Sequence, residues 1–138
     1  MKINVKRLNQ NFHMQALNEE GNIVEMDGSP EIGGEGKGMR PMQLLLTSLG
    51  GCSSIDVLLI LKKQKQIVEA FEVTVEGDRE KMGDYSLFKT ITLHFKIKGN
   101  VDSIKAEKAV QLSMEKYCSV AKTLEPTAKI TYKITLIN

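Results

Sequence analysis

The sequence of 138 residues predicts an α+β fold with an antiparallel sheet. Three observations lead there. Short alternating apolar segments precede and follow a central block; that block, from Pro41 onward, is apolar at helical length; a second, shorter amphipathic helix separates the last strands. Read in order, the elements run β-β-β-α-β-β-α-(α)-β, with no internal repeat and no linker, so residues 1–138 are expected to form a single domain.

Residues up to Met26 alternate as in Ile3-Asn4-Val5 and Phe12-His13-Met14, with turn-forming residues at Asn9-Gln10-Asn11 and from Asn18 to Gly21. That pattern predicts a three-stranded meander. Asp27 to Gly38 collects Gly28, Pro30, Gly33, Gly34, Gly36 and Gly38 and reads as a mobile loop. It is not a phosphate loop, because no Gly-Lys-Ser/Thr follows at the required spacing.

Pro41 suits a first helical position. Leu44, Leu45, Leu46, Leu49, Cys52, Ile55, Val57, Leu58, Leu59, Ile60 and Leu61 then leave little room for a solvated face, so the helix is expected to be a long central one, buried nearly all round. Its end, Lys62-Lys63-Gln64-Lys65, complements the negative end of the helix dipole. Ala70 to Gly77 and Phe88 to Gly99 alternate as strands, joined by a charged connection from Asp78 to Asp84. Asp102 is placed to cap a second helix through about Lys116, with Ala106, Ala109, Val110, Ser113 and Met114 along its inner stripe. Cys118 to Leu124 reads as a short helix ended before Pro126, and Lys129 to Ile137 as the final strand.

Charge and composition exclude several classes. The 19 Lys and Arg against 17 Asp and Glu leave +2, with the charges interspersed, which does not fit a nucleic-acid protein with a clustered basic face. Met1 to Arg7 has neither the apolar core nor the cleavage site of a signal peptide, so the expected compartment is the cytoplasm. The nearest approach to a membrane span, Met42 to Leu61, carries Asp56, and a charge near mid-bilayer costs on the order of 3 kcal/mol. A helix of a soluble protein with no membrane partner is the expectation.

Only two cysteines occur, Cys52 and Cys118, too few for a disulfide scaffold. Cys52 follows Gly50-Gly51, and each glycine costs up to about 1 kcal/mol in a helix interior. Such a pair implies a close approach to the backbone. The local residues leave Cys52 open between a small core side chain and a reactive thiol. Cys118 stands at the start of a short helix, a position that lowers a thiol pKa, and is open in the same way. His13 and His94 with the two cysteines total four conceivable zinc ligands but lack the short paired spacings of zinc sites, so no metal and no cofactor is expected. Arg40, directly before the long helix, could lower a thiol pKa or bind an anion.

Pro41-Met42-Gln43-Leu44-Leu45 with Leu49-Gly50-Gly51-Cys52-Ser53-Ser54-Ile55-Asp56-Val57 resembles the central-helix motif of the OsmC/Ohr family, the osmotically inducible and organic-hydroperoxide-resistance proteins. Glu115-Lys116-Tyr117-Cys118-Ser119-Val120 resembles its second cysteine motif, and the match is closest to the YhfA-like branch. The resemblance implies an OsmC-like domain, an intertwined homodimer with both cysteines in each site, and thiol-dependent reduction of organic hydroperoxides. In that role Cys52 is the peroxidatic thiol and Cys118 the resolving one, recycled by a small dithiol or cellular thiol. The alternative is a redox-sensing or small-molecule-binding protein of the same fold with little turnover. Three positions depart from the hydroperoxide-resistance pattern: Met42 replaces a Glu, no Arg stands near Asn9-Gln10-Asn11, and Ser119 replaces a Pro. The Glu and Arg roles therefore do not carry over, and Arg40, or Arg7, is the candidate for activating the thiolate.

Overall fold

The meander expected at the start of the chain is present. The structure, a computed structural model, describes residues 1–138 and divides them into two units, Met1–Leu45 and Leu46–Asn138. In the first, β1 (Ile3–Arg7), β2 (Met14–Asn18) and β3 (Ile23–Met26) form an antiparallel sheet in sequence order. Cross-strand partners share a face. Val5, Ala16 and Val24 therefore line up on one side, and Val5 and Val24 are exposed.

The glycine-rich loop is more organised than its composition suggests. The buried Asp27 carboxylate accepts the N–H groups of Gly28 at 2.8 Å, Glu35 at 3.0 Å and Lys37 at 3.2 Å. Burial opposes ionisation of Asp27, but these three amides outweigh it and hold the carboxyl below its usual range. A 3-10 turn, Pro30–Ile32, sits inside the loop, and Gly34 lies so close to the Gly28 carbonyl that a Cβ there would be 1.8 Å from the oxygen. Glycine is required at that position for the loop to close on itself.

Helix α1 (Pro41–Lys63) runs from the first unit into the second. It is long and apolar enough to cross a membrane by length and composition, yet only 28% of its apolar window is buried. Leu49, Gly50, Ser53, Val57 and Leu61 form one buried stripe at roughly helical spacing. Ile55, Leu58 and Leu59 are exposed on the other side, Ile55 at 68%. The expectation of a helix buried nearly all round is therefore corrected: an all-apolar helix carries no sign of which sides this chain covers.

In the second unit, β4 (Ile67–Lys81) and β5 (Ser86–Asn100) pair antiparallel, and β6 (Lys129–Ile137) adds to β5 in parallel. The parallel pairing lies outside the antiparallel expectation; it follows from the helical crossover between β5 and β6. The strands also run further than their apolar alternation. Asp78 to Lys81 pair through the backbone with Ser86 to Thr90, so the expected charged connection is mostly strand and only the tip turns. On the β4 side Asp78 to Lys81 are all polar and exposed, so no apolar alternation marks them as strand.

Phe88, Ile91, Leu93, Phe95 and Ile97 point one way along β5 and are buried. Thr92 and His94 point the other way, meeting Thr131 at 3.2 Å and Thr135 at 2.7 Å. Leu49, Val57 and Leu61 join this core from α1, and Ala106, Ala109 and Val110 join it from α2 (Ser103–Leu112). Asp102 caps α2 as expected, its carboxylate accepting the Lys105 N–H at 3.0 Å. The inner stripe also holds: Ser113 and Met114 are buried, in a π-helical turn, Ser113–Tyr117, that follows α2.

Candidate active site

Two glycines and two serines shape the α1 backbone around Cys52. A Cβ on Gly50 would meet Val75 Cγ2 at 3.1 Å and Val73 Cγ1 at 3.5 Å, so the missing side chain lets the helix come down onto β4. A Cβ on Gly51 would meet nothing within 4 Å. The pair thus combines one close approach with one open face. Ser53 Oγ donates to the Leu49 carbonyl at 2.8 Å and Ser54 Oγ to that of Gly50 at 2.6 Å, which satisfies both hydroxyls within the helix. Cys52, between these features, is half-buried.

Cys118 comes to the same place from the far end of the unit. The π turn widens the helix by one residue, so the Cys118 N–H reaches the Ser113 carbonyl at 2.8 Å. Its Sγ then accepts the Ala121 N–H at 3.4 Å and caps α3 (Ser119–Leu124). The side chain is fully buried.

The sulfurs of Cys52 and Cys118 and a carboxylate oxygen of Asp56 all lie within 4.8 Å of one another. Both cysteines are free thiols. Ser113 holds this group together twice over, because its carbonyl receives Cys118 and its hydroxyl donates to Asp56 Oδ2 at 3.0 Å.

Burial pushes the Cys118 thiol up to about 11, and the hydrogen bond to Cys52 and its charge add to that rise. The Ala121 and Val120 amides pull the other way without prevailing. The lowering expected from a helix start is therefore overturned, since loss of water outweighs the amides in a fully buried thiol.

Next to Asp56 opens a cavity of about 490 Å³ lined by Leu59, Ile60, Lys63, Gln64, Leu112 and Tyr117. It has apolar walls with an ammonium and a phenol among them. Two neighbouring thiols, one within reach of solvent and one sealed, can perform nucleophilic attack followed by disulfide closure, or can act as soft donors.

The remaining candidates have other partners. Arg40 belongs to the N-terminal unit, where its backbone N–H donates to Gln43 Oε1 at 2.9 Å. Arg7 closes the β1–β2 turn by donating to the Asn11 carbonyl at 3.0 Å and to that of Gln10. His13 faces Glu25 at 3.4 Å and His94 bonds Thr135, so neither histidine joins the cysteines. Asp56 stands one helical turn after Cys52, and its partner Ser113 was not among the sequence's candidate site residues. The available signal was a lone hydroxyl in the apolar inner stripe of the second helix.

The fold and site define a class: an α+β protein with two free cysteines close together, one on a long helix and the other capping a short one. The chain belongs to the OsmC-like protein family, whose model matches residues 34–133. It is 39% identical to protein YhfA of Escherichia coli K12 over 118 residues, 85% of this chain and 84% of that protein. A hypothetical protein from Aquifex aeolicus VF5 has a solved structure of 29% identity and TM-score 0.80, covering 99% of this chain and 97% of its own. An organic hydroperoxide resistance protein from Legionella pneumophila shares the fold at 20% identity and TM-score 0.72, with 98% and 97% covered.

Proposed function

We propose that the reduced chain is a thiol-dependent peroxidase for organic hydroperoxides. The observation that carries this is the approach of the Cys52 and Cys118 sulfurs within 4.8 Å, one half-buried and one sealed. The Cys52 thiolate attacks the distal peroxide oxygen; the O–O bond breaks, an alcohol leaves after taking a proton, and Cys52 becomes a sulfenic acid. Cys118 condenses with it to a disulfide and releases water. A dithiol or cellular thiol in the cytoplasm then returns both cysteines to thiols by two successive exchanges. A Cys118 kept protonated and hydrogen-bonded to Cys52 supports this division of labour. The name of the Legionella relative supports the substrate class.

The proposal includes an intertwined homodimer as partner. Ile55, Leu58 and Leu59 on α1 and Ile3, Val5 and Val24 in the first sheet are exposed apolar groups that a second copy would cover, with no membrane required. Twelve residues of helix at about 1.5 Å each separate Arg40 from Cys52, so Arg40 is proposed to activate a thiolate only from the other copy. Asp56 favours a second reading, redox sensing with little turnover, because its carboxylate repels the anionic thiolate that must attack the disulfide.

The test adds cumene hydroperoxide to the reduced chain. The expected product is a Cys52–Cys118 disulfide, seen by mass spectrometry as loss of two hydrogens, with steady turnover when a dithiol is supplied. No mass change at excess peroxide rejects both redox readings, and one oxidation without turnover selects the sensor.

A further inference from the structure

We infer that the reduced cysteine pair and Asp56 form a binding site for a soft divalent metal ion of the zinc class. Cys52 and Asp56 are four residues apart on α1, the spacing that puts two side chains on one helix face. Cys118 enters from the start of α3, so three donors converge from two separate elements. A tetrahedral zinc site with sulfurs at about 2.3 Å and oxygen at about 2.0–2.2 Å sets its donors about 3.5–3.8 Å apart. The observed limit of 4.8 Å lies within about 1 Å of that, a distance side-chain rotation can close.

The surroundings are those of a metal site rather than of a chance cluster. A ligating carboxylate is usually held by an outer hydrogen bond, and Ser113 Oγ supplies one on Asp56 Oδ2. The Ser113 carbonyl fixes the Cys118 backbone, so one buried residue orients donors from both elements. Two thiolates and one carboxylate suit zinc or cadmium and not magnesium or calcium, which take oxygen. Three protein donors leave a fourth position for water or an added ligand. Binding exchanges protons for the ion: each thiol releases one as it ligates. A Cys52–Cys118 disulfide has no thiolate to offer, so oxidation and metal binding exclude one another. The site stands whether or not the chain turns over peroxide.

The test titrates cobalt(II), a spectroscopic stand-in for zinc, into the reduced chain without peroxide. The expected result is sulfur-to-cobalt charge-transfer absorption and tetrahedral visible bands that saturate at one cobalt per chain and are discharged by zinc. Diamide-oxidised chain should give neither, which controls for variants that fail to fold. Cys52→Ser should lose most of the charge-transfer band, and Asp56→Asn should weaken binding about tenfold or more. Absent charge transfer, or a band that survives in the oxidised chain, overturns the site. Saturation at one cobalt per two chains overturns an intrachain site, and undiminished affinity in Asp56→Asn overturns the three-donor set. Because no peroxide is present, failure here leaves the hydroperoxide reading standing, and failure of that reading leaves this one.

Discussion

Two sheets with alternating apolar residues meet different fates in this chain. In β5 every second residue from Ile91 to Ile97 is fully buried, whereas Ile3, Val5, Ile23 and Val24 of the first sheet are exposed. Alternation identified both sheets equally well. What differs is cover: α1 and α2 contribute Val57, Leu61, Ala109 and Val110 to the core that β5 shares, and no residue of the first sheet's strands is buried. Periodicity therefore reports which side chains share a face, and only packing decides whether that face is dry.

The largest expected effect sharpens this contrast directly. Phe95→Ala removes a fully buried ring that packs edge-on to Phe71, with centroids 6.1 Å apart, and should cost about 3–5 kcal/mol. Val5→Ala should stay within about 0.5 kcal/mol when measured on dilute chain. Urea unfolding at low and high protein concentration checks both. If Val5→Ala becomes costly only at high concentration, a second copy is the missing cover.

Ionisation separates the regions next. Cys118 in the dry region has a folded pKa of about 11 against an ordinary 9.0. The folded chain therefore holds this proton more tightly, a stability fully present below pH 9 and lost as pH rises toward 11, of roughly 2–3 kcal/mol. Asp27 is also buried, but its amides lower its pKa below 3.8, so its contribution is present above that value and fades as pH falls through the folded pKa. Unfolding midpoints under reducing conditions should thus decline on an alkaline limb that Cys118→Ala flattens and on an acid limb that Asp27→Asn flattens.

How much of this was legible follows from the range of each signal. The α2 stripe and the bounds of β6 were readable because a repeating pattern spans each element. Asp102 was readable because a cap acts within three residues, and Asp102→Ala should cost about 1 kcal/mol by thermal or urea unfolding. The Cys52–Cys118 approach was not readable from local pattern, since it depends on where β4, β5 and α2 carry the chain between them. Ser113 escaped for the same reason: its two partners, Asp56 and Cys118, are set by packing. The Cys118 pKa was misjudged because a helix start is visible in sequence and desolvation is not.

Gly50 and Gly51 offer the smallest and most discriminating test, since adjacent residues of one type face opposite conditions. In an open helix interior, alanine in place of glycine stabilises by up to about 1 kcal/mol. Gly51→Ala has that open space and should gain roughly 0.5–1 kcal/mol in dilute chain. Gly50→Ala must push Val75 Cγ2 back from 3.1 Å, and with that methyl packed on β4 the helix gain should be cancelled or reversed. Unfolding of both variants in dilute solution measures the difference. Repeating Gly51→Ala at high protein concentration then tests whether a second copy covers the exposed side of α1. If another helix packs against Gly51 there, the added methyl loses its advantage; if the advantage persists, Gly51 faces solvent at high concentration as well.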